Sequence, residues 1–242
     1  MKNINRRNFI RKTSLAGAAI SMAPMLVKGA THDIERPLMH RYMGDFAAPK
    51  LKTVRAAFIG VGKRGPTHLT FFANLPGTEV VAICDLYEDY AKKWGAKAKE
   101  IGKGRQHKDV KLYYGDENKW RTMLDEVKPD VVFVLTDWKN HAPMAIEAMK
   151  KGAHAFVEVP IAVTLEEMWN IVETSEATGK HCMMMENVNY GREELMVLNM
   201  VRQGVFGDVL HGEAAYIHDL RWQMKEIEHK TGSWRTYWHT KR

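Results

Sequence analysis

From Thr53 onward the apolar positions switch repeatedly between two periods. Short runs rich in β-branched and small apolar residues occur at Val54–Ile59, Glu79–Cys84, Asp130–Leu135, Ala153–Val157 and His181–Met185, with a shorter candidate at Lys111–Tyr114. Between them, stretches with apolar residues at helical spacing cover Thr67–Leu75, Tyr87–Glu100, Trp120–Glu126, Pro143–Lys151 and Leu165–Thr178. Strands apolar on both faces, alternating with amphipathic helices, predict an α/β fold with a doubly wound parallel sheet. Gly77, Gly152 and Gly179 fall where helices are expected to stop, as C-terminal caps. A further helix is expected from Glu193 to Gln203, ending at Gly204. The alternation at Val209–Ile217 then predicts a strand that opens a second domain of α+β type. One strand and a polar tail do not make a stable sheet, so the chain is expected to break off inside that domain. A small complete protein whose last strand docks on the first sheet is the alternative.

Composition changes this picture at the N-terminus. The net charge of +7 invites a nucleic-acid reading, but residues 1–30 carry Lys2, Arg6, Arg7, Arg11, Lys12 and Lys28 and no acid. Taking those six from +7 leaves +1 for the rest of the chain, so the basicity belongs to a leader and a nucleic-acid partner is not expected. Asn5 to Lys12 resembles a twin-arginine export signal. The apolar stretch Thr13–Val27 is too short and weak for a stable membrane span of ~30 Å, and Lys28-Gly29-Ala30 offers a small-residue cleavage region. An exported protein, periplasmic or extracellular, is therefore expected; an amphipathic N-terminal helix of the folded protein is the alternative. The expected organisation is a signal peptide at 1–30, a linker or arm at 31–52, a nucleotide-binding domain at 53–187 and part of a substrate domain at 188–242. Cys84 and Cys182 each lie in an apolar run and read as core residues. No metal-ligand spacing is found.

The chemistry begins where the first strand ends. Gly60-Val61-Gly62-Lys63-Arg64-Gly65 stands between an apolar strand and a helix, the context that turns a weak GxGxxG motif into a Rossmann dinucleotide fingerprint. Gly60 serves the tight turn, Gly62 the approach of the backbone to a pyrophosphate, and Gly65 the close packing of helix on strand. Lys63 and Arg64 are candidates for phosphate contacts or simple surface charges. Asp85 closes the second strand, 20 residues beyond Gly65, where an acid hydrogen-bonds ribose hydroxyls and disfavours a 2′-phosphate, so NAD is the expected cofactor. An Asp that caps the following helix is the structural alternative.

Further along, the sequence resembles the glucose–fructose oxidoreductase and inositol dehydrogenase superfamily (Gfo/Idh/MocA), in which the corresponding strand ends in Glu-Lys-Pro and the lysine carries a proton. Here the segment reads Val157-Glu158-Val159-Pro160. That departure, with Trp138-Lys139-Asn140-His141, Met185 to Glu194 and Gly212 to Arg221, resembles the glycoside hydrolase family 109 branch, the NAD-dependent α-N-acetylgalactosaminidases. The resemblance implies NAD contacts from Lys63, Arg64, Asp85, Trp138, Lys139, Asn140, His141, Glu158, Val159 and Asn187. It also implies sugar contacts from Tyr216 and Arg235. Each has a plain alternative: Trp138 packing a loop, His141 satisfied within a loop, Tyr190 capping a helix, Arg235 a surface charge beside Trp234. The implied substrate is a small molecule or glycan bearing terminal N-acetylgalactosamine. The implied reaction is hydrolysis through oxidation at sugar C3, elimination, water addition and reduction, an exception to the two-carboxylate scheme. With Val159 in the lysine position, Tyr190, Tyr216 and His218 are the candidate proton carriers. A sugar oxidoreductase that releases NADH, or a chain that binds NAD without turnover, are the rival readings. The reading leaves a homo-oligomer open.

Overall fold

The computed structural model describes residues 42–101 and 109–213, with Ala215, Ile217 and Asp219. The expected leader at 1–30, residues 31–41 of the expected arm, Tyr216, His218 and Arg235 lie outside the described residues. The strands are β1 (Val54–Ile59), β2 (Thr78–Cys84), β3 (Lys111–Tyr113), β4 (Val131–Val134), β5 (His154–Val157) and β6 (Cys182–Met184). The helices are α1 (Gly65–Asn74), α2 (Glu88–Ile101), α3 (Lys119–Val127), α4 (Trp138–Lys150), α5 (Leu165–Thr178) and α6 (Arg192–Arg202). All strand pairs are parallel, in the order β3-β2-β1-β4-β5-β6. The chain winds outward from β1 to β3, then returns to place β4 on the other side of β1. The winding reverses at the carboxyl ends of β1 and β4, the switch point where open α/β sheets bind their ligands.

Alternation along the strands divides the core into two layers. On one face Phe58, Ile83 and Phe133 pack against Leu69, Phe72 and Ala73 of α1 and Ala91 and Ala98 of α2. The Phe58 and Phe133 rings stack with centroids 4.5 Å apart, and Phe72 meets both edge-on, so α1 is anchored on an aromatic cluster through its last turn. On the other face Ile59, Val132, Val134 and Val157 pack against Met123 and Leu124 of α3 and Ala145 and Met149 of α4. Helix α5 starts with a full capping box, in which Thr164 Oγ1 accepts from the Glu167 amide and the Glu167 carboxylate accepts from the Thr164 amide.

The expected elements form, with three corrections. Gly179 caps α5 and Gly152 follows the cap of α4, but Gly77 caps nothing: α1 ends at Asn74, Leu75 is already extended, and Gly77 sits in the turn into β2. Helix α4 begins at Trp138, five residues before the expected Pro143. Proline inside a helix forfeits one backbone bond and costs about 3 kcal/mol. His141, two residues before Pro143, has Nδ1 2.7 Å from the Pro160 carbonyl and Nε2 3.1 Å from that of Thr136; a neutral imidazole donates to one of the two, and the Pro160 carbonyl is the nearer. Third, residues 209–213 are not a strand, and Leu210 is 95% exposed. Among the described residues no strand lies beside them to take up the ladder hydrogen bonds that their alternating pattern requires. Cys84 is buried in β2 and Cys182 half-buried in β6, both as free thiols. Among the described residues no helix is long and apolar enough to cross a membrane, and no cluster of three or more metal-ligating side chains occurs.

Candidate functional site

The loop after β1 is shaped by two glycines that the protein's own packing requires. Gly60 has φ +87°, and a Cβ there would stand 2.7 Å from the Leu135 carbonyl oxygen, at the end of β4. A Cβ on Gly65 would stand 2.3 Å from the Gly60 oxygen, so the first turn of α1 can sit on the loop only without a side chain. Gly62 differs. Its Cβ would meet only the Tyr90 ring, at an ordinary 3.6 Å, so internal packing does not demand glycine there. What its bare backbone leaves is open surface beside the start of α1. That helix has no side-chain cap and no acidic residue in its first turn, unlike α5 with its capping box, Glu166 and Glu167. An uncompensated helix N-terminus behind a glycine loop is a cradle for an anion such as a diphosphate.

Asp85 pins this loop. Its Oδ2 accepts from the Val61 amide at 2.7 Å and its Oδ1 from the Tyr87 amide at 3.0 Å. The carboxylate thus bridges the glycine loop and the turn into α2, and it is nearly buried, 8% exposed. Asp85 bonds the Tyr87 amide, one residue before α2, so this bond turns the chain toward that helix rather than capping it.

The second part of the site gathers residues from distant strand ends. Glu158, just past β5, is 7% exposed. Its Oε1 accepts from His68 Nε2 at 2.8 Å and from Arg64 Nε at 3.2 Å, while Oε2 accepts from the Val159 amide at 3.1 Å. Arg64 reaches on with Nη2 to Asn187 Oδ1, 3.1 Å away, beyond β6. Burial pushes the Glu158 carboxyl up, but the His68 bond, the Arg64 charge and the Val159 amide outweigh it and hold the group below the usual carboxylate range. Three of the expected residues, Arg64, Glu158 and Asn187, are therefore joined in one hydrogen-bonded chain. His68 is a fourth member that sequence reasoning missed; its signal is its position four residues after Arg64, on the same side of α1.

The segment Trp138 to His141 forms the first turn of α4, at the carboxyl end of β4. His141 is 1% exposed, with a backbone carbonyl near each ring nitrogen, of which a neutral ring donates to one; it lies in a helix rather than in a loop. The Asp137 carboxylate accepts from the Asn140 amide and lies 3.9 Å from Lys139 Nζ. Lys63 and Val159 lie in the glycine loop and beside Glu158, respectively. Tyr190 lies in the turn before α6 and is 72% exposed; it does not cap that helix, whose N-cap is Gly191.

The match to known proteins follows the same division. Residues 54–186 match the family described as the oxidoreductase family with an NAD-binding Rossmann fold, Gfo/Idh/MocA. The chain belongs to this family. Residues 190–242 match the C-terminal domain of glycosyl hydrolase 109. Along its whole length the chain is 52% identical to a glycosyl hydrolase family 109 protein of Shewanella baltica and 50% identical to an alpha-N-acetylgalactosaminidase of Shewanella oneidensis. It spans about half of these relatives, 52% of each. Among solved structures, scyllo-inositol dehydrogenase from Lactobacillus casei, with bound NAD(H) and scyllo-inositol, superimposes with a TM-score of 0.55 at 21% identity, over 65% of this chain and 43% of that one. The WlbA dehydrogenase of Bordetella pertussis, in complex with NADH and UDP-GlcNAcA, gives 0.55 at 20% identity, over 64% and 43%. These two likenesses concern the fold alone. NAD is the cofactor of this Gfo/Idh/MocA domain, and the glycine cradle, the helix end and Asp85 fit it.

Two expectations follow. Gly62→Ala keeps the fold and its melting temperature yet weakens NAD binding, whereas Gly60→Ala lowers stability by about 1–3 kcal/mol because its φ and the Leu135 carbonyl leave no room. Calorimetric melting and NAD titration of both variants check this. The second concerns acid. With its folded pKa below the ordinary 4.5, Glu158 contributes stability in full above that value and loses it as pH falls through the lowered one. Urea denaturation from neutral pH down through that window is therefore expected to show wild type losing more stability than Glu158→Gln.

Proposed function

We propose that the protein acts in removing terminal α-linked N-acetylgalactosamine through NAD-dependent oxidation, elimination, water addition and reduction. The observation that carries this reading is Val159. In the Glu158-Val159-Pro160 segment, beside the dinucleotide cradle, the side chain next to Glu158 has no proton to give or take. A dehydrogenase that oxidises an alcohol once and releases its product depends on such a group. The relatives that match along the whole chain are named for glycosidases. Bound NAD⁺ would supply a reversible sink for a hydride, so no cofactor is consumed in the net hydrolysis. The chain's own residues would bind and orient. Gly62 and the start of α1 take the diphosphate, with Lys63 and Arg64 beside it, Asp85 takes the adenosine ribose, and Trp138, Lys139, Asn140, Glu158, Val159 and Asn187 border the cofactor. His141 acts from behind, by fixing the turn that carries Trp138 to Asn140. Tyr190, Tyr216 and His218 are the candidates to move protons at sugar C3 and C2, and Tyr216 and Arg235 to hold the sugar.

The deciding assay follows p-nitrophenyl α-N-acetylgalactosaminide with and without NAD⁺, together with absorbance at 340 nm. The expected outcome is NAD⁺-dependent release of p-nitrophenol with no accumulation of NADH, and slower exchange of the C2 proton in deuterated water for Tyr190→Phe. NADH accumulating with substrate consumption would replace the reading by a sugar oxidoreductase. NAD binding with no turnover of the whole protein would leave a binding module.

The leader supports a second, independent part of the reading, export of the folded protein by the twin-arginine route. Replacing Arg6 and Arg7 by lysine should then trap the full chain in the cytoplasm, as read by fractionation of expressing cells. Unchanged export would remove this part.

A further inference from the structure

Helix α1 aims two donors at one oxygen. Arg64, its N-cap, and His68, one turn later, both reach Glu158 Oε1, and they differ in kind. The His68 contact is the shorter, 2.8 Å against 3.2 Å, and its side chain is 20% exposed against 47% for Arg64. Arg64 also stands at the edge of the glycine loop, where a diphosphate is expected, and its fork already serves Glu158 and Asn187. A guanidinium is planar with its donors fixed in that plane, and a swing of the plane toward a phosphate takes Nε off Glu158. A nearly buried carboxylate cannot lose its donors without a large cost. The doubled bond on Oε1 resolves this conflict.

We propose that His68 is a positioning residue. It holds Glu158, and through the Val159 amide the whole Glu158-Val159 turn, while Arg64 moves from Glu158 to the cofactor's phosphates. The inference rests on the reading of this site as an NAD site. It makes a specific demand on energetics. Without cofactor, Arg64 and His68 back each other up; with cofactor bound, His68 is the side-chain donor that stays on Glu158. Removing His68 therefore weakens NAD binding only when Arg64 is present to be shared.

The test is a double-mutant cycle on the full chain, with NAD titrated in the absence of sugar. His68→Leu is expected to raise the Kd for NAD about tenfold in the wild-type background. In an Arg64→Met background the same change is expected to raise it less than about twofold, since His68 is then the side-chain partner of Glu158 in both states. His68→Gln, which keeps a nitrogen donor near the same place, should restore near wild-type affinity, and serves as the folded control should His68→Leu melt early. An unchanged Kd in His68→Leu, or an equal rise in both backgrounds, overturns the proposal. A melting-temperature loss without a change in Kd also overturns it, leaving His68 merely structural. A chain that binds no NAD at all overturns the site reading as well, whereas a chain that binds NAD with a flat cycle sinks only this inference.

Discussion

The bond from the Val61 amide to the Asp85 carboxylate is the constraint on which the rest of the site depends. It joins the first residue after the Gly60 turn to the end of a neighbouring strand, in a place from which water is nearly excluded. A buried charged acceptor holds a backbone donor more firmly than a neutral one does. That bond and the Gly60 amide, which donates to the Cys84 carbonyl at 2.8 Å, fix the loop before any ligand arrives. The helix that follows is then aimed by the phenylalanine cluster beneath it. Backbone amides are thus presented to an anion with little left to order on binding, which is what preorganisation means in free-energy terms.

Much of this was legible in the sequence because it is dictated by local rules. The strands are apolar on both faces, and that pattern has no other stable use than a covered parallel sheet. Gly60 and Gly65 could be read because steric demands within the loop leave no choice of residue. The same local reasoning failed where a tertiary contact won. Pro143 looks like a helix start, yet the helix begins at Trp138, and its first turn carries the buried His141 against the Pro160 carbonyl, 19 residues on. Val209–Ile217 reads as a strand from its alternation, but a strand is defined by its neighbour, and alternation alone supplies none for residues 209–213.

His68 was invisible for a different reason. Its partner Glu158 lies 90 positions away, and nothing in the vicinity of either residue announces the other. The sheet order brings β5 close to β1 with β4 between them, and only then does the polar side of α1 face the end of β5. Arg64 is named from the glycine motif and Asn187 on the strength of resemblance; their mutual bond, and the one from Arg64 to Glu158, are properties of the three-dimensional arrangement. The valine after Glu158 is the reverse case: plain in the sequence, and uninformative about geometry until the cradle beside it is seen.

The placement of the two thiols has a consequence for their chemistry. Cys84 and Cys182 occupy β2 and β6, with β1, β4 and β5 between them. At four strand spacings they stand on the order of 19 Å apart, far beyond the reach of an intramolecular disulfide. Burial pushes both thiols up to about 12, with the Asp85 charge adding to the effect at Cys84. Almost no thiolate exists at neutral pH to attack an oxidant or a foreign disulfide. Each thiol is therefore held protonated and apart from the other, as a packing group of its strand.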